Sequence, residues 1–148
     1  MKRWIAAALV AVALLAGWFV GRAPSNYALE ELCRQFQADR VRVATLLRYE
    51  IGRLESALRP GQEPGPDLRE LRGKRDALHA RTRTLEVRGW EVLLLPAGAP
   101  RPLPADYIVA GTFEVSSVTD PIALRGPTEV WMRPRGRLAR IVHAVGVG

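Results

Sequence analysis

Cysteine, histidine and lysine are scarce in this 148-residue chain, and the first two scarcities each remove a class of function. The single thiol, Cys33, excludes an internal disulfide framework and a thiolate metal cluster. It leaves two readings: a small buried hydrophobe, or a cross-link to a second chain. His79 and His143 are far apart in sequence, with no second ligand at metal spacing beside either, so no metal site is expected. Nucleophile elbow, phosphate-cradling glycine loop and metalloprotease helix motif are all missing. The expectation is a protein that is not an enzyme and holds no cofactor. A hydrolase would need two acids brought together, and Glu114, Asp120 and Glu129 are the ones available in the last third.

Lysine occurs only as Lys2 and Lys74, so arginine supplies nearly all of the 22 cations behind a net charge of +7. The charge is spread along the chain rather than gathered in a stripe, which argues against a nucleic-acid partner. One concentration stands out: Arg133, Arg135, Arg137 and Arg140, with no acid after Glu129. Such a patch suits lipid headgroups, an acidic wall polymer or a partner's carboxylates, against the plainer reading of a solvated turn.

Charge is wholly absent between Trp4 and Val20, behind the basic start Met1-Lys2-Arg3. As a helix the run is about 26 Å long at about 1.5 Å per residue, at the short end for a hydrocarbon core of about 30 Å. Two fates share this beginning, an export signal that is cut off and an anchor that stays. Lipid attachment needs a cysteine after the small residues at 14–17, and that position is Trp18. Cleavage after Ala23 meets Pro24, and cleavage after Ala16 puts Leu14 where a small side chain is preferred. Trp4 and Trp18 suit the two interfaces, and Arg22 can snorkel outward. The expectation is a retained single-pass anchor over 1–23 in a bacterial inner membrane. Its N-terminus is cytoplasmic and the remainder periplasmic or extracellular.

Proline is missing from 28–59, and apolar residues recur there in steps of three and four. Leu32, Val43 and Leu54, and likewise Phe36 and Leu47, form a stripe with an eleven-residue period, interrupted by Arg40. The stretch 60–66, with Pro60, Gly61, Pro64, Gly65 and Pro66, ends that helix as a turn. A second helix capped by Asp67, with Leu68, Leu71, Leu78 and Leu85 on one face, is expected to run to Gly89. The two form an antiparallel, coiled-coil-like hairpin over 24–89.

From 90 to 148 the texture becomes short apolar runs between prolines and glycines, read as a small antiparallel β module. Strands are expected at 90–96, 107–118 and 128–134, with Tyr107, Val109, Phe113 and Val115 sharing one face of the second. The segment 137–147 suits either a last strand or a helix through Leu138, Ile141, Val142 and Val145. A disulfide-free β module of this size is marginal alone and should lean on the hairpin or on another subunit.

The fold class is therefore α+β: one transmembrane helix, a helical hairpin and a small β module. In plan this resembles bitopic scaffolds of bacterial division, secretion and pilus machines. The resemblance implies a non-enzymatic scaffold or adaptor, homo- or hetero-oligomeric, that contacts the membrane and other envelope proteins. Leu32, Phe36, Val43, Leu47 and Leu54 would make the main contact, and Arg133, Arg135, Arg137 and Arg140 a second. Two alternatives share the plan: a phage-encoded envelope protein, either a lysis component or a virion membrane protein, and a module binding anionic lipid or wall polymer.

Overall fold

A computed structural model describes residues 2–102, 107–114, 124 and 126–146, with Lys2 by its backbone alone. Among these residues the fold is α+β, with four α-helices and one four-stranded antiparallel sheet. Helix α1 (Lys2–Gly21) is apolar almost throughout, and nearly all its side chains are exposed. Its stretch of 19 residues from Arg3 to Gly21 has the length and composition shared by membrane anchors and signal sequences. Pro24 breaks the helix, and Ser25 opens the next: its Oγ accepts from the Ala28 amide at 3.3 Å, capping α2 (Asn26–Ser56). Helix α3 (Pro66–Ala77) starts with proline at its first position, where the missing N–H costs nothing, and closes in a 3₁₀ turn, Leu78–Ala80.

The sheet follows, with β1 (Arg83–Val87), β2 (Trp90–Pro96), β3 (Ile108–Phe113) and β4 (Thr128–Pro134) in the spatial order β1-β2-β4-β3. Helix α4 (Arg137–Ala144) follows β4. Arg88 and Gly89 both have positive φ, 52° and 81°, the signature of a two-residue type I′ hairpin turn between β1 and β2.

Two expectations, on the second helix and on the face of β3, are corrected, and the open alternative for 137–147 is decided. The second helix has Gly65 rather than Asp67 at its N-cap, Asp67 lying inside the first turn, and it ends at Ala77 rather than Gly89. Thr82, Thr84 and Val87 bring β-branched side chains to a stretch with a diluted apolar face, and residues 83–87 pair with β2 instead. Gly89 thus closes a strand hairpin, not a helix. The segment 137–147 forms a helix over Arg137–Ala144, because Leu138, Ile141, Val142 and Val145 recur at helical spacing after Gly136. Within β3 the register shifts between Val109 and Gly111, so one face does not hold the whole expected set. Tyr107 reaches the side chain of Glu91, whereas Ala110 and Phe113 pack against the core; Val115 lies outside the described residues.

The main core lies between the sheet and the first half of α2. Trp90, Val92 and Leu94 of β2 and Val130 and Met132 of β4 meet Leu29, Cys33 and Phe36 of α2, with Ala139 of α4 at the edge. The strands therefore lean on one helix. A second, smaller cluster joins Ala44 of α2 to Leu78 and Leu124, flanked by Val43 and Leu47. Farther along, α3 packs back on α2, and Arg72 bridges to Glu55 at 2.6 Å.

Arg40, the interruption in the expected stripe, is buried with its guanidinium employed. It donates to Gln37 Oε1 and to the Leu78 carbonyl, each at 3.0 Å, and lies 5.4 Å from the Phe36 ring. A cation on the carbonyls that end α3 is favoured by the helix dipole as well as by hydrogen bonding.

Candidate interaction surfaces

The end of α1 is built into the folded domain. Trp90 Nε1 donates to the Gly21 carbonyl at 2.9 Å, and the Trp90 ring meets His143 edge to face at 5.5 Å. Gly21 is buried under α4: a Cβ there would stand 2.8 Å from Val142 Cγ2 and 2.9 Å from the Leu138 carbonyl oxygen. Ala23 packs against the main core. Backbone contact this close is possible only with glycine.

The β1–β2 turn fixes α4 from the other side. The Gly89 carbonyl accepts from the amides of Arg135 and Gly136, at 2.8 and 2.7 Å, and a Cβ on Gly136 would meet Gly89 Cα at 3.0 Å. This holds the start of α4 against the hairpin and lets Ala139 reach the core. The same turn carries Arg88 to 4.5 Å from the Phe19 ring, while Arg22 lies 5.0 Å from the Trp18 ring. A collar of arginine on aromatic side chains thus surrounds the last turn of α1.

The expected arginine patch is divided. Arg133 and Arg135 converge on Glu91, each at 2.8 Å, and Arg133 lies over the Tyr107 ring at 4.8 Å. Glu91 is only 6% exposed and also accepts from the Tyr107 hydroxyl. That hydrogen bond, helped by the two arginines against the cost of burial, holds its carboxyl below the usual carboxylate range. Burial and the same bond push the Tyr107 hydroxyl above its ordinary value. Arg137 and Arg140 are exposed on α4, where Arg140 donates to the Arg135 carbonyl at 3.0 Å.

The expected stripe on α2 is also divided. Phe36 is in the core and Leu32 packs at its edge, while Leu54 is half-buried farther along. The buried face is rotated toward Leu29, Cys33, Phe36, Gln37, Arg40, Ala44 and Ile51. Val43 and Leu47 line a shallow, mostly apolar groove of about 440 Å³ against Ala77 and Leu78, rimmed by Lys74 and Arg81. Beside it a cleft of about 520 Å³ runs between α2 and β1, lined by Leu46, Arg42 and the Asp39–Arg83 pair at 2.7 Å.

Cys33 is fully buried in the main core, and burial pushes its thiol up to about 11, so it serves there as a small hydrophobe. Of the three acids weighed for hydrolysis, Glu129 accepts from Trp131 and Arg101, which hold its carboxyl below the usual range. Glu114 is exposed, and Asp120 lies outside the described residues. Among the described residues no three His, Cys, Asp or Glu side chains gather as a metal site.

Sequence reasoning missed Glu91, Arg88 and Phe19, and placed Trp18 and Arg22 at the membrane interface without pairing them. Glu91 had a signal, a lone acid inside an otherwise apolar strand. Comparison with protein-family models, with curated proteins and with solved structures gives no match.

Proposed function

We propose that this chain is a non-enzymatic, single-pass membrane protein of the bacterial envelope, a scaffold or adaptor in an assembly of the division, secretion or pilus type. In this reading α1 stays in the inner membrane with its N-terminus cytoplasmic, and the sheet and helices α2 to α4 lie on the periplasmic side. The observation that carries the reading is the hydrogen bond from Trp90 to the Gly21 carbonyl, with Val142 and Leu138 packed on the same glycine. A signal peptide cut after Ala23 would take that carbonyl away from the folded domain. A retained anchor keeps the core closed and sets the domain at a fixed height above the bilayer.

The partner-binding surface in this reading is the groove where Val43 and Leu47, two half-buried residues of the expected stripe, meet Ala77 and the buried Leu78. Apolar lining with a cationic rim suits a helix from a second subunit carrying acids beside its apolar face. Photo-crosslinking residues at Val43 and Leu47 in intact cells test it, with Glu63 in the 60–66 turn as the control. The expected result is a discrete adduct from the groove positions and none from position 63. Adducts of equal yield at all three positions would refute a specific groove.

A further inference from the structure

Helix α4 leaves an apolar face uncovered where a soluble surface would be polar. Leu138, Ile141 and Val145 are 46%, 52% and 69% exposed, and with Val142 they fall on one side of the helix. Leu138 and Val142 pack over Gly21 of α1, with the Leu138 side chain beside Gly17, so this face is continuous with the exposed apolar surface of α1 at Leu14, Leu15, Trp18 and Phe19. The contacts span the last turn of α1, which places α4 within about 6 Å of the end of the span at about 1.5 Å per residue. Interfacial helices bury their apolar face to a similar depth. Arg22 and Arg88, stacked on Trp18 and Phe19, stand at that level, and Arg137 and Arg140 lie exposed on α4 itself.

We propose that α4 lies in the outer interface of the same bilayer that holds α1, with Ile141 and Val145 among the acyl chains and Arg22, Arg88, Arg137 and Arg140 on anionic headgroups. The occupant of the uncovered face is thus lipid, identified by continuity with the span and by charge complementarity. This rests on α1 being a retained span. The chain then has two membrane contacts, one crossing and one flat, and its domain cannot tilt freely about a single anchor. The β1–β2 hairpin, tied to α4 through Gly89, transmits that orientation to the sheet.

The test is spin-label accessibility on the full chain in nanodiscs containing phosphatidylglycerol, with labels placed singly at Leu9, Tyr49, Ile141 and Val145 in a Cys33→Ala background. All four positions are exposed, so the labels leave the core intact. The account predicts that the oxygen-to-nickel accessibility ratio at 141 and 145 is several-fold higher than at 49 and lower than at 9. It also predicts that Arg137→Glu with Arg140→Glu lowers the ratio at 141 in phosphatidylglycerol discs, with little change in phosphatidylcholine discs. A buried label at 9 with aqueous labels at 141 and 145 would overturn the interfacial helix and leave the anchor standing. Aqueous values at all four would overturn both.

Discussion

Along α2 the character of burial changes at Arg40. Before it, Leu29, Cys33 and Phe36 press on Trp90, Val92, Leu94, Val130 and Met132, a layer of large apolar side chains almost without exposure. After it, Ala44 and Ile51 are the buried positions; a small cluster joins the helix to the 3₁₀ turn at Leu78, and α3 packs on it with the exposed Glu55–Arg72 pair. One helix therefore serves as spine to two regions, one held by a large apolar cluster and one by a smaller set of buried side chains and an exposed ion pair. Burial of Trp- and Leu-sized side chains is worth several kcal/mol each, whereas exposed ion pairs are worth about 0–1 kcal/mol. The proximal region should accordingly unfold as a unit, and the distal arm should open first.

Trp90→Ala is expected to have the largest effect. It removes the largest fully buried side chain and its bond to Gly21, costing about 3–5 kcal/mol in urea unfolding of the detergent-solubilised chain. Leu68→Ala, in the distal arm, should cost about 2 kcal/mol locally. Hydrogen exchange should then speed up in α3 while the amides of β2 and β4 keep their protection. Equal acceleration in the sheet would mean that the two regions are one cooperative unit.

Glu91→Gln comes next, at about 1–2 kcal/mol near neutral pH, since it weakens charge-assisted bonds to Arg133 and Arg135. Its pH dependence gives a sharper readout. The Glu91 carboxyl titrates below its ordinary value near 4.5 in the folded state, so its contribution is fully present above that value and is lost as pH falls through the lowered one. The wild-type chain should lose stability over that acid range more steeply than Glu91→Gln, and parallel curves would contradict the assignment. Smallest of all, Glu55→Gln should change the unfolding free energy by less than about 1 kcal/mol, because both members of its pair with Arg72 reach solvent.

Much of the proximal region was legible in the sequence, and the reason is periodicity. The apolar runs 90–96 and 128–134, set off by glycine and proline, matched β2 and β4 with their bounds, and the three-and-four spacing of the proline-free run matched α2 to within a few residues. The misreadings fall where a local pattern fits two structures. Leu85 completes a helical face with Leu68, Leu71 and Leu78, but Thr82, Thr84 and Val87 favour a strand, and pairing with β2 decided between them. The rotation of the buried face of α2 was hidden because Gln37 and Arg40 are polar. Their burial depends on the Leu78 and Leu124 carbonyls, which come from distant parts of the chain. The Arg88 side of the collar was illegible for the same reason. Arg88 and Phe19 are brought together by the β1–β2 turn and by Gly21 beneath α4, and that pairing leaves no trace in spacing, unlike the four-residue step from Trp18 to Arg22.

The central claim is that the apolar N-terminal helix is a permanent part of the folded protein, closing the core through Gly21 while it sits in lipid. The most direct measurement is the intact mass of the mature protein from the membrane fraction after alkaline carbonate washing. The account predicts a chain that still contains Trp4 to Val20 and stays with the membrane. A product beginning at Pro24 or Ser25, released by the wash and still folded around Trp90, would contradict it.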